Sequence, residues 1–412
     1  MAPDFGMQPC CATKHEQAAK EAWGGWLGDL VLPLLTDNPG SALPPQSVEP
    51  QQLADPDSRF VEVQGLTLHF KEAWPSSSSS HNGSSDSSGG SSRGAADGGF
   101  PAGEQQAAAR PTVLLVHGLN GSTFNWRATM QPLADATGCR VLAFDRPPYG
   151  LAERPLSWGG AGQALQFNPY TKDGSVRLTL GLLDALGVGR VVAVGHSAGA
   201  IVCMELAQRQ PSRVAALGFV SPALPTSPDN GWLRATLGAQ LRFLLVRAVL
   251  ADDRLGLRYV RRQILRRRDE VLAGDLRLHA EGFEVPQDVI NGYLRPLRAV
   301  NWDRASLLNY RTFALPPPYD FSTLRQPVLL VQGSEDGGLT KNARELARLL
   351  RSRPEGNTRF VELQGIGHVP MDECPSKLNI LLIDFVQQQA EAVTARPGPA
   401  RPAALQPLPG SA

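Results

Sequence analysis

The sequence predicts an α/β fold: a mostly parallel sheet with helices on both faces and an inserted helical cap. Three observations predict it. Short apolar runs such as TVLLV (112–116), RVVAVG (190–195) and PVLLVQ (327–332) show no apolar–polar alternation, as expected of strands buried on both faces. Longer segments with helical spacing separate these runs. Between Pro222 and Leu324 the alternation stops, and the chain there is largely helical and rich in arginine.

Taken in order, residues 1–57 read as an N-terminal extension. Its segment Trp23–Leu35 is either a short amphipathic helix packed on the domain or a contact for a membrane surface. Arg59 to Trp74 reads as two strands about a Gln64-Gly65 turn, with alternating apolar positions. A Ser- and Gly-dominated insert follows within 75–110; that composition buries too little apolar surface to order itself. The parallel strands are then expected at 112–116, 140–144, 190–195, 214–220, 327–332 and 358–363, with helices at 170–186, 198–209, 341–351 and 376–392. The core therefore falls in two parts, 58–222 and 325–393, split by the cap at 223–324 and followed by a Pro- and Ala-rich tail at 394–412. In such a sheet the site lies at the carboxyl ends of the strands.

Composition excludes several classes. Forty basic and thirty-nine acidic side chains leave a net charge of +1, so no nucleic-acid footprint is expected. No run of about 18 apolar residues predicts a membrane span, and Met1–Lys20 lacks the layout of a secretory signal. The cytoplasm is the default compartment, with an organelle not excluded. The five cysteines (10, 11, 139, 203 and 374) match no zinc or disulfide spacing and fit a reducing environment. Cys10-Cys11 could alternatively be acylated. With no HExxH, no Cys/His cluster and no phosphate loop in the sequence, no metal or other cofactor is expected.

The chemistry is carried by four short strings. Gly195-His196-Ser197-Ala198-Gly199 stands between a buried strand and the helical run AGAIVCMELAQR, the setting of a nucleophile elbow. The turn leaves no room for side chains at its flanks, and the helix beginning at Ser197 directs amides and a dipole at a developing oxyanion. His117-Gly118-Leu119 follows another strand, so the backbone amides of Leu119 and Ala198 are the expected oxyanion-hole pair. His117 and His196 read as structural. Gly333-Ser334-Glu335-Asp336 offers a carboxylate at a third strand end, Asp336 being favoured over its neighbour Glu335. Gly367-His368 follows the last strand, and no histidine lies beyond it. Ser197, Asp336 and His368 thus serve as nucleophile, orienting acid and general base, in the chain order that suits this strand arrangement.

With the strings VLLVHGLNGSTFNW, VLAFDRPPYGLAERP, VVAVGHSAGA, PVLLVQGSEDG and GIGHVPMDECP in one order, residues 59–389 resemble the α/β-hydrolase superfamily. More narrowly, they resemble its capped branch of haloalkane dehalogenases, epoxide hydrolases, C–C bond hydrolases and plant-type esterases. The resemblance implies that Asp145–Gly150 is a loop beside the site. It also marks a departure, since the dehalogenases and epoxide hydrolases use aspartate as nucleophile where this chain has Ser197. A serine adduct suits acyl transfer. The expected activity is therefore hydrolysis of a carboxylic ester of an apolar, lipid-like substrate through an acyl-enzyme. C–C hydrolysis, acyl transfer to another acceptor, and a non-catalytic ligand-binding receptor or scaffold remain open.

The lid stretches Gln240–Leu250 and Arg254–Arg268 have two readings. Their arginines either solvate helices and pair with Asp252, Asp253, Asp269 and Glu270, or face anionic lipid as a peripheral membrane contact. Trp126, Trp302, Phe313 and Tyr319 are candidates for an apolar pocket wall as well as for ordinary packing. The sequence does not specify an oligomeric state.

Overall fold

The computed structural model describes residues 48–76, 110–226, 237–272, 279–312 and 319–394. The expected helix at 23–35, the Cys10-Cys11 pair, most of the Ser/Gly insert, Phe313 and the tail beyond 394 lie outside the described residues.

The strands are β1 (Arg59–Val63), β2 (Leu66–Ala73), β3 (Thr112–Val116), β4 (Val141–Phe144), β5 (Val191–His196), β6 (Val214–Val220), β7 (Val328–Gly333) and β8 (Thr358–Leu363). They form one sheet in the order β1-β2-β4-β3-β5-β6-β7-β8. The β1–β2 and β2–β4 pairings are antiparallel and every later pairing is parallel. The β1–β2 hairpin turns on Gln64 and Gly65, both at positive φ. The α/β class read from the sequence is the observed one.

Val113 to Val116 are fully buried, and the two-residue period sends them to opposite faces. Leu114 and Val116 join one core with Val176, Leu182, Val202 and Leu346. Val113 and Leu115 join the other, with Leu133, Leu378 and Phe385. Removing one such leucine side chain costs about 2–5 kcal/mol, so the uninterrupted apolar strands are what hold the two helix layers together. The first core contains α2 (Lys172–Ala185) and α3 (Gly199–Arg209); the second packs α1 (Met130–Thr137), which the sequence reading missed. Its signal was present as Met130, Leu133 and Ala134 at helical spacing and a left-handed Gly138 at its end, obscured by Pro132 and by its eight residues.

Between β6 and β7 lie α4 (Leu237–Ala251), α5 (Asp253–Leu272), α6 (Gln287–Leu294) and α7 (Trp302–Thr312). Of these, α4, α5 and α7 build a small core of their own from Leu250, Val260, Ile264, Trp302 and Leu307. Three of the described lid acids have structural duties. Arg311 pairs with Asp253 at 2.6 Å, Arg261 with Asp303 at 2.6 Å, and Asp252 accepts from the amides of Arg254 and Leu255. The segment before β1 also reaches these helices: Val48 bridges Ala299 in parallel, and Arg295 pairs with Asp55. After β7 come α8 (Gly338–Arg351), β8, the short α9 (Pro370–Glu373) and α10 (Pro375–Thr394). No helix among the described residues is long and apolar enough to cross a membrane.

Candidate active site

Ser197 occupies the turn from β5 into α3 with φ at 50°, a left-handed conformation that costs a non-glycine residue about 1–3 kcal/mol. The surroundings enforce it. The Ser197 amide donates to the Val220 carbonyl at 3.0 Å, and its carbonyl accepts from Ala200 and Ala223 at 3.1 Å each. The flanking glycines are dictated by contact: a Cβ on Gly199 would lie 2.2 Å from the Val116 carbonyl oxygen, and one on Gly195 2.6 Å from the Ala200 nitrogen. Ala198 is the N-cap of α3, placing its amide at the positive end of the helix.

The acid and the base come from the ends of β7 and β8. Glu335 donates its amide to the Ile366 carbonyl at 2.9 Å, and Ser334 donates to Leu363 at 3.0 Å, which stitches the two loops side by side. This brings His368 Nδ1 to 2.8 Å from Asp336 Oδ2. The same oxygen accepts from Gln332 Nε2 at 2.7 Å. Both side chains of the pair are about nine-tenths buried, so their attraction is poorly screened by solvent. Glu335, the adjacent alternative, is exposed.

His196 and His117 frame the site. His196 Nε2 lies 2.9 Å from the His368 carbonyl and its ring 4.9 Å from the His368 ring. Burial, with His368 beside it, pushes His196 down to about 3; the ring is neutral and donates Nε2–H to that carbonyl. His117 is likewise pushed down to about 3 by burial and by Arg146. Its Nδ1–H donates to the Gly118 carbonyl at 2.8 Å, and its Nε2 accepts from the Arg146 amide at 2.9 Å.

Ser197 and His368 open onto one cavity of about 470 Å³, lying between the sheet's carboxyl ends and the cap. Leu119, Tyr149, Ile264, Leu294, Leu297 and Trp302 supply its apolar wall. Of the aromatic candidates, Trp302 lines the cavity. Trp126 is instead buried in the second core, and Tyr319 donates its hydroxyl to Glu205 at 2.9 Å.

One end of the cavity is polar, which the sequence reading did not foresee. Tyr293 of α6 donates to Asp372 Oδ2 at 2.7 Å and accepts from Asn125 Nδ2 at 3.1 Å. Arg127 Nη2 lies 2.8 Å from Asp372 Oδ1. Burial alone would raise the Asp372 carboxyl; His279, Arg127 and Tyr293 outweigh it and hold the group below the ordinary carboxylate range. Glu373 next to it accepts from the amides of Ala280 (2.9 Å), Gly367 (2.8 Å) and Val369 (3.3 Å), tying the cap to the His368 loop. Asp372 and Glu373 stood in the string GIGHVPMDECP, but their partners are remote in sequence. Among the described residues no group of three or more His, Cys, Asp or Glu side chains is placed to hold a metal ion.

The family model described as alpha/beta hydrolase fold matches residues 111–375. Epoxide hydrolase A of Mycobacterium tuberculosis (strain ATCC 25618 / H37Rv) is 30% identical over 316 residues, covering 69% of this chain and 92% of that protein. The hydrolase YugF of Bacillus subtilis (strain 168) is 24% identical over 68% of this chain and 92% of its own length. Among solved structures, the epoxide hydrolase CorEH superimposes with a TM-score of 0.56 at 17% identity, over 80% of this chain and 97% of that one. A thermophilic esterase from Thermogutta terrifontis gives 0.53 at 19% identity, over 81% and 99%.

Proposed function

The chain belongs to the α/β-hydrolase fold family, and from that premise we propose that it is a serine hydrolase that cleaves a carboxylic ester of an apolar substrate. One observation carries the reading: a strained Ser197 and a His368 bonded to Asp336 open onto the same cavity. A carboxylate nucleophile would suit displacement at saturated carbon; a serine hydroxyl needs a base and an acyl carbon.

In this mechanism His368 Nε2 takes the proton from Ser197 Oγ as the oxygen attacks the ester carbonyl. Asp336 holds Nδ1–H, which selects the tautomer and stabilises the imidazolium. The Leu119 and Ala198 amides receive the negative charge of the tetrahedral intermediate. The imidazolium protonates the departing alkoxide, and an acyl-Ser197 ester remains. Water activated by His368 then attacks that ester, and collapse of the second intermediate releases the acid and restores Ser197. The apolar wall formed by Leu119, Ile264, Leu294, Leu297 and Trp302 suits a hydrocarbon acyl or alcohol part.

The test is labelling with a fluorophosphonate probe, wild type beside Ser197→Ala, followed by turnover of p-nitrophenyl esters of increasing chain length. Labelling confined to wild type, with turnover that peaks at one chain length, is the expected result. A folded wild-type protein that neither labels nor turns over would sink the reading and favour a ligand-binding role.

A further inference from the structure

Arg146 follows β4 and is buried, with its side chain directed beneath the loop that follows β3. Its Nη2 donates to the His117 carbonyl at 2.9 Å and to the Gly118 carbonyl at 3.3 Å. Both acceptors are peptide oxygens rather than carboxylates, so this contact does not neutralise the guanidinium charge. The neighbouring Asp145 is engaged elsewhere, with His69 Nδ1 at 2.7 Å and the amides of Thr123 and Leu151 at 2.6 Å each.

The Gly118 carbonyl gathers two further donors, His117 Nδ1–H at 2.8 Å and the Gly121 amide at 3.3 Å. Three donors on one oxygen fix the rotation of the Gly118–Leu119 peptide. In a trans peptide the carbonyl and the following N–H point in opposite directions. Holding the oxygen on the Arg146 side therefore directs the Leu119 N–H to the other side. Gly118 lies directly against the serine: a Cβ there would be 2.9 Å from Ser197 Cβ. Leu119 lines the cavity that Ser197 shares. Among the described residues the Leu119 amide donates to no backbone carbonyl in a turn, loop or cap.

We propose that Arg146 is a positioning residue for the oxyanion hole: it grips the His117 and Gly118 carbonyls so that the Leu119 amide faces the tetrahedral oxygen above Ser197. The cation also polarises that peptide and strengthens its N–H as a donor. This assignment rests on the serine-hydrolase reading. It adds a residue that never touches substrate and holds the peptide at all times, so that its benefit to the reaction appears as the negative charge forms.

The experiment compares wild type with Arg146→Met, which keeps side-chain length without donors, and Arg146→Lys, which keeps the charge without the fork. Two inhibitors are titrated against each: a trifluoromethyl ketone, which forms an oxyanion on Ser197, and the matching secondary alcohol, which does not. In Arg146→Met the ketone is expected to weaken by about 10- to 1,000-fold, the upper end being loss of a whole oxyanion-hole donor. Alcohol affinity and KM should stay within about twofold, kcat should fall with the ketone, and Arg146→Lys should recover part of the loss. A crystal structure of Arg146→Met should show the Gly118–Leu119 peptide rotated. Equal losses for ketone and alcohol, an unchanged ketone affinity, or an unrotated peptide would each overturn the proposal. If wild type itself binds the ketone no better than the alcohol, the serine-hydrolase reading fails; the peptide rotation still decides what Arg146 holds.

Discussion

Asp336 Oδ2 is shared between two donors, His368 Nδ1 at 2.8 Å and Gln332 Nε2 at 2.7 Å, so the amide of Gln332 locks the carboxylate on which His368 turns. Asp336→Asn keeps the shape but cannot hold Nδ1–H as a charged acceptor, and it favours the tautomer that leaves Nε2 protonated. Nε2 could then no longer accept the Ser197 proton. The expected result is a fall in kcat of about 10²- to 10⁴-fold with KM little changed. Steady-state turnover of the best p-nitrophenyl ester measures it. A loss below about threefold would remove Asp336 from the mechanism.

Glu373 is expected to matter to both stability and turnover, although it lies outside the reacting group. Its two oxygens collect the amides of Ala280, Gly367 and Val369, so one side chain joins the cap to both neighbours of His368. Glu373→Gln replaces one acceptor by a donor and leaves at least one amide facing another N–H. The penalty for such an unpaired group is about 1–3 kcal/mol. Denaturant unfolding should show that loss, and kcat/KM should fall as His368 loses its fixed position. Unchanged unfolding in Glu373→Gln would mean that the loop is held by its backbone bonds alone.

The placement of Ser197, Asp336 and His368 at three strand ends was readable because each sits in a short string whose sterics are local. Gly195 and Gly199 announce a tight turn without reference to the rest of the fold, and the buried strands announce themselves by continuous apolar runs. The His117 and His196 side chains were read as structural, and their bonds to Gly118 and His368 carbonyls and the Arg146 amide agree with that. Arg146 escaped notice because it works through backbone carbonyls, which no residue type advertises. Tyr293, Asn125 and Asp372 escaped for a different reason. Asn125 and Tyr293 are 168 positions apart, so only the docking of the cap brings them together. The helix α1 was lost to its shortness and to Pro132 within its first turn.

The two neutral histidines make stability fall on mild acidification. Burial, with Arg146 beside His117 and His368 beside His196, holds each at about 3 in the folded protein, against about 6.5 when unfolded. Between those values the unfolded chain binds a proton at each site that the folded chain does not. Stability from these groups is full above about pH 6.5 and is lost as pH falls towards 3. Going from near pH 7.5 to near pH 5.5 should cost about 1.4 kcal/mol per histidine, or about 2.7 kcal/mol for both. Urea unfolding at the two pH values, wild type beside His117→Gln, isolates one share. If the variant loses as much stability as wild type over that range, His117 is not the neutral group described.

Shortening the Ser/Gly-rich insert should leave the chemistry untouched, and the reason lies in where its anchors sit. Ala73 pairs with Val141 and Thr112 with Val191, at the amino ends of β4 and β5. His117 and Ser197 follow the opposite ends of β3 and β5, and a five-residue strand such as β3 is about 16 Å long. Ser76 should be retained, because its amide donates to Asp135 at 2.8 Å and thereby fastens the chain to α1. Replacing residues 77–103 by a short Gly/Ser linker is expected to keep kcat/KM within about twofold and to leave fluorophosphonate labelling of Ser197 at the wild-type rate. A variant that unfolds at the wild-type denaturant midpoint yet no longer labels would place part of the insert at the site, contrary to the position of its anchors.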